Sequence, residues 1–131
     1  MQPDVEALTC TYLRGCSDIA ALVDDRVYTA IPASPEWPLV SLFRIGGGPD
    51  EWPYRLDQAR LQIDCWADTK AQAHDLARTA QTALWAMPDV SHATGTVTHV
   101  APDGPFLWLP DDTYPTPKPR YLFGVTVTVH P

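Results

Sequence analysis

A chain of 131 residues that is 45% hydrophobic and only 19% charged has the composition of a folded domain. Its length lets roughly two-thirds of the unfolded surface be buried, which excludes a disordered segment and predicts a single domain over residues 1–131. The formal net charge of −7, with nine Lys+Arg, excludes a basic face that grips a nucleic-acid backbone. The lack of any apolar run near ~20 residues excludes a membrane-spanning helix.

Smaller counts narrow the class. Cys10, Cys16 and Cys65 have no CxxC spacing and no histidine at zinc-ligand distance in sequence, so free thiols in a reducing cytoplasm are expected. Met1-Gln2-Pro3-Asp4 does not open a secretory leader, and none is expected. The 14 prolines concentrate at 31–38, 49–53 and 102–119, where loops or strand margins are expected because proline cannot donate to a sheet ladder.

In chain order, Asp4 is placed to cap a first helix with Val5, Leu8, Tyr12 and Leu13 inward, ended by Gly15. Ser17 or Asp18 starts a short second helix through Val23, and Asp24-Asp25 breaks it. Residues 26–31 read as a short strand, 34–38 as a turn, and Leu39 to Ile45 as a strand rich in β-formers. Gly46 to Tyr54 reads as a flexible excursion. The stretch from Leu56 to Asp68 then alternates, with Leu61, Ile63 and Cys65 on one side and Arg60, Gln62 and Asp64 on the other. The period changes after Asp68 or Thr69, either of which can cap the next helix. Leu76, Ala77, Ala80, Ala83 and Leu84 make an apolar stripe on a helix from Lys70 to Trp85 or Met87, stopped by Pro88. Residues 95–100 alternate as another strand, Asp103-Gly104-Pro105 turns, and Phe106 to Leu109 is a short apolar piece. Asp111 to Pro119 reads as an irregular loop. Tyr121, Phe123, Val125, Val127 and Val129 share one face of a closing strand. Consecutive strands before the long helix predict an α+β fold. Its sheet is expected to be mostly antiparallel or mixed, with one long and one or two short helices on one face. The strand from Leu39 and the closing strand lack edge-blocking charges, so sheet extension across subunits is a reading for both.

Chemistry is sparse in this pattern. His74, His92, His99 and His130 lie in separate elements. Cys65 alternates with Leu61 and Ile63 and reads as a core residue before a nucleophile. The glycine run 46–48 lacks the Lys-Ser/Thr and the helix start of a phosphate loop. No catalytic, cofactor-binding or metal-ligating residue is assigned. Trp37, Trp52, Tyr54, Trp108 and Tyr114 stand beside prolines outside regular elements, either as partner contacts or as a small core folded over the sheet edge.

The segments Asp18 to Tyr28, Trp37 to Ile45, Ala59 to Asp68 with its Ala-rich helix, and Tyr121 to Val129 follow one another in an order that resembles the tail terminator proteins of long-tailed bacteriophages. These are also called tail completion or tail-to-head joining proteins. The loop 111–119 has no counterpart in that pattern. The resemblance implies a structural virion protein without enzymatic activity or cofactor, forming a ring that is expected to be a hexamer. The ring would cap the tail tube, stop its polymerisation and offer a joining surface to the head–tail connector. Its partners would be copies of itself, the tail tube protein and the connector protein. DNA would pass through an acidic lumen without tight binding, and no membrane is involved. Its place would be the head-proximal end of the tail, after assembly in the host cytoplasm. Asp111 and Asp112 are the candidates to face the lumen, and reversing both to Lys is expected to leave the ring intact. The alternatives are another head–tail connector or minor tail protein, or a small enzyme that uses Cys65 and a distant histidine.

Overall fold

The computed structural model describes residues 3–49, 56–113 and 117–131. Three helices and six strands follow in order: α1 (Val5–Gly15), α2 (Ser17–Val23), β1 (Val27–Tyr28), β2 (Leu39–Pro49), β3 (Asp57–Trp66), α3 (Lys70–Trp85), β4 (Thr96–Pro102), β5 (Leu107–Trp108) and β6 (Arg120–His130). The sheet order is β1-β2-β3-β6-β4, with β5 also on β6. β1 runs parallel to β2 and every other pairing is antiparallel, so the sheet is mixed and the fold is α+β.

Local chemistry sets the helix ends. Asp4 accepts from the Ala7 N–H at α1, and Thr69 accepts from the Gln72 N–H at α3, each satisfying an otherwise unpaired donor. Thr69, not Asp68, is therefore the cap of α3. Asp24 closes α2 with φ 56. Pro88 lies in a 3₁₀ turn, Met87–Asp89, because its ring cannot continue the α-helical ladder.

The register builds one core face. Leu61 opposes Val125 and Ile63 opposes Phe123, while Leu42 opposes Ile63 and Val40 opposes Cys65. Ala73, Leu76, Ala77, Ala80 and Leu84 of α3 are buried. Its alanines let the helix backbone approach the sheet, and its leucines contribute about 1.5–3 kcal/mol each by leaving water. Val5, Leu8, Cys10 and Leu13 of α1 and Ile19 and Val23 of α2 join the same cluster. At the rim of this face Arg44 makes a two-pronged ion pair with Asp57, at 2.7 and 2.8 Å.

Four expectations change. The strand expected over residues 26–31 is reduced to Val27–Tyr28, because α1 closes its outer edge: Cys10 Sγ and Arg14 Nη2 both donate to the Val27 carbonyl. The glycine run is not an excursion. Gly46 and Gly47 pair with Arg60 and Ala59 after a bulge at Ile45, so β2 extends to Pro49. Gly47 has φ 77, and a Cβ there would overlap the Gln58 carbonyl, so only glycine fits this point of the bulge. The closing strand is not an edge, since β3 lies on one side and β4 with β5 on the other. The short apolar piece after Phe106 supplies β5 on β6 and forms one arm of a hairpin, and a single bridge, Asp111–Lys118, spans the segment read as an irregular loop, of which residues 114–116 lie outside the described residues. β4 and β5 lie one after the other along β6, from the Thr96–His130 pair to the Trp108–Tyr121 pair, and a bridge joins Asp111 to Lys118 beyond them.

Candidate assembly surfaces

Among the described residues, no group of three His, Cys, Asp or Glu side chains could hold a metal ion. Cys65 lies fully buried on the core face, where burial first and then the Asp64 charge push its thiol well above the usual range. A thiol kept neutral by burial is a poor nucleophile and a poor ligand. A groove of about 380 Å³ opens between α1 and residues 91–94. Two of its polar groups already have partners: the Tyr12 hydroxyl donates to the Ala83 carbonyl at 2.6 Å, and His92 Nε2 lies 2.8 Å from the Met87 carbonyl oxygen. His74 stands edge-on to Phe106 and Tyr121, and His99 is exposed on β4.

The hairpin arm is the most heavily built feature. Antiparallel pairing of β5 with β6 continues through the Leu109 N–H, which donates to the Arg120 carbonyl, and through paired bonds between Asp111 and Lys118. The arm is fastened to the end of β3. The Ala67 N–H donates to the Pro119 carbonyl, and the Trp66 indole N–H donates to Asp111 Oδ2 at 3.3 Å. Arg120 lies over the Trp66 ring at 5.6 Å, and Lys118 pairs with Asp68 at 3.2 Å. Farther along, Asp103 takes the Arg60 guanidinium at 2.6 Å. Its backbone crosses Gly124 so closely that a Cβ there would overlap the Asp103 carbonyl oxygen.

Trp37 is half-buried, with its ring 6.3 Å from that of Trp66 and Lys118 above it at 5.2 Å. Trp108 is 38% exposed, packed on Tyr121 at 5.2 Å and beneath Lys70. Asp111 is half-buried at the root of the arm's tip, and Asp112 is exposed beside it. Burial would raise the Asp111 carboxyl, but hydrogen bonds from Thr113 and Trp66 and the Arg120 charge outweigh it and hold the group below the usual carboxylate range. Trp52, Tyr54 and Tyr114 lie outside the described residues. Two further features were not found from the sequence. The Arg44–Asp57 pair joins positions far apart in the chain and shows no local signal. The exposed Phe43 and Ile45 on β2 carry an ordinary strand pattern.

The sheet has two lateral margins. β1 covers β2 only at Val40 and Ser41, so among the described residues no strand pairs with the outer side of β2 from Leu42 to Pro49. Among the described residues, β4 pairs with β6 alone. No described helix is long and apolar enough to cross a membrane.

Over residues 10–105 the chain matches the family described as tail completion protein gp17. No curated protein matches it. Among solved structures it is similar to a chain of the virion of a native gene transfer agent particle. The identity is 21%, the TM-score 0.69, and the match covers 97% of this chain and 95% of that one. At this identity the likeness is one of fold.

Proposed function

The chain belongs to the tail completion protein family, and from that premise we propose that it closes into a ring, a hexamer, that caps the head-proximal end of a phage tail tube. Membership makes it a structural component of the virion that assembles with other tail or head proteins. The ring would halt addition of tube subunits and present the joining surface to the head–tail connector, after assembly in the host cytoplasm. Residues 1–131 act as one domain in this role, which is structural and not catalytic. The inert environment of Cys65 supports that reading over an enzyme.

The observation that supports the ring is the pair of margins left open, among the described residues, on opposite sides of one sheet: β2 beyond Ser41, and β4. A margin of unpaired backbone groups takes up another strand. Two different margins per subunit support a head-to-tail contact, which closes when its rotation divides a circle. Trp37, Trp52, Tyr54, Trp108 and Tyr114 are the proposed aromatic contacts to neighbouring subunits or partners. Asp111 and Asp112 at the arm's tip are proposed to face the lumen. The acidic balance of the whole chain, net −7, is compatible with DNA sliding past without adhering.

Light scattering behind a sizing column tests the ring. A species of roughly six times 14.5 kDa is expected. Should the protein stay monomeric, it is mixed with tail tube subunits, whose growth it is expected to stop. A persistent monomer beside unchecked tube growth overturns the proposal.

A further inference from the structure

Most cations of this acidic chain are already satisfied. Arg44, Arg60, Lys118 and Arg120 pair with Asp57, Asp103, Asp68 and Asp111. Arg14 and Arg26 donate to the backbone carbonyls of Val27 and Pro38. Among the described residues, Lys70 and Arg78 differ in having neither a carboxylate nor a backbone partner, Arg78 giving one N–H to the Gln81 side chain. Each rests on an aromatic ring: Lys70 Nζ lies 4.7 Å from the Trp108 centroid and Arg78 Cζ 4.2 Å from that of Phe106. Tyr121 fills the space between those rings, 5.1 Å from Phe106 and 5.2 Å from Trp108. His74 stands edge-on to Phe106 and Tyr121. Lys70, His74 and Arg78 are four residues apart on α3, so they share one face and span about 12 Å.

This arrangement prepares an anion contact. The ring beneath each cation excludes water from one side and restricts the side chain, which lowers the ordering cost when a partner arrives. The Lys70 N–H groups directed away from the ring stay available to oxygen acceptors, and so do those of Arg78 other than Nη1, which donates to Gln81 Oε1 at 3.0 Å. We infer that this face of α3 is the docking surface for a carboxylate-rich segment of another virion protein. Charge complementarity selects that occupant, and the part-exposed Trp108 supplies an apolar contact at the Lys70 end of the patch. Two local cations on a chain of net charge −7 are too few for a nucleic-acid backbone, whose affinity grows with the number of phosphates neutralised. The acids nearby are Asp75, 3.8 Å from His74 Nδ1, and Asp18, which lines the groove beside Arg78. They bound the patch without neutralising it. The inference holds whether or not the subunits close a ring.

The test titrates the isotope-labelled full chain with poly-L-glutamate and follows the Trp108 indole and the α3 amides by NMR. Saturable shifts are expected at Trp108 and along residues 70–78, weakening as salt rises from ~0.05 M to ~0.5 M. Reversing both charges, Lys70→Glu with Arg78→Glu, should weaken binding roughly tenfold. The double variant Lys70→Gln with Arg78→Gln guards against a folding artefact and should weaken it less. No shift at this face, or equal binding by the reversed variant, overturns the inference. So does tighter binding of oligothymidylate at the same resonances, which makes the face a nucleic-acid surface. A low-salt increase in mass without any probe, lost on reversal, overturns it in favour of a second copy.

Discussion

Asp64 and Cys65 are neighbours in the chain, yet they meet opposite faces of the sheet and burial acts on both. For Cys65 burial disfavours the thiolate. Iodoacetamide is therefore expected to leave it unlabelled at neutral pH until denaturant is added, with the half-buried Cys16 as the internal reference. Rapid, selective labelling of Cys65 in the folded protein would revive a cysteine-dependent activity. For Asp64, burial raises the carboxyl, Asp111 adds to the rise, and the Gln62 amide and the Arg120 charge offset part of it. A carboxyl raised on folding makes the native state bind the extra proton between the unfolded and folded values. Its stabilising effect is complete below the unfolded value and is lost as pH rises through the folded one. At neutral pH the buried charge is a net cost. Asp64→Asn keeps an acceptor for Gln62 and removes the charge, so thermal melts should show a higher Tm at neutral pH and little gain in acid. An unchanged or lower Tm at neutral pH would count against this account.

The hairpin arm shows how an element can rest on one carboxylate. Asp111 accepts from the Trp66 indole and from the Thr113 N–H and faces Arg120 at 3.9 Å. Asp111→Ala should cost about 1–3 kcal/mol, because donors are left unpaired, one of them on the buried Trp66 ring. Limited proteolysis should then cut faster within the arm. Asp112→Ala touches none of these groups and should stay within about 0.5 kcal/mol of the parent. Equal protease sensitivity in the two variants would show that the arm is held by its backbone ladder alone. Farther along, Gly124→Ala drives a methyl into the Asp103 carbonyl, and a loss of about 1–3 kcal/mol in chemical denaturation is expected. The arm also marks where reading a sequence stops. The alternations in β3 and β6 and the apolar stripe of α3 were legible because one buried face imposes them. A proline-rich strand paired to β6 has no such period, and glycines in a bulge look like glycines in a loop. Trp37 gave two readings because the ring it packs on, Trp66, belongs to another strand, and distance along the chain hides such contacts. The cation-bearing face of α3 was invisible for the same reason: its rings come from β5 and β6.

At the scale of the molecule, the small sheet has two unlike margins. Each margin carries its own brake. β4 has a register shift after Val97 and ends in Pro102, and β2 bulges between Arg44 and Gly46. Bulges twist an edge away from casual pairing while leaving room for a shaped partner. The margin of β2 also holds Phe43 at 36% and Ile45 at 47% exposure, apolar groups that a neighbouring subunit would cover. Ile45 is more exposed than the core requires, so replacing it should separate assembly from folding. Ile45→Lys places a charge on that margin, the device natural edge strands use against pairing. The variant should melt within about 0.5 kcal/mol of the parent, as surface changes do. It should also lose the ring species in light scattering and fail to stop tube growth when mixed with tail tube subunits. Loss of the ring with an unchanged melt places the subunit contact at β2. A ring that persists in the variant removes β2 from the interface and leaves the aromatic contacts to carry closure.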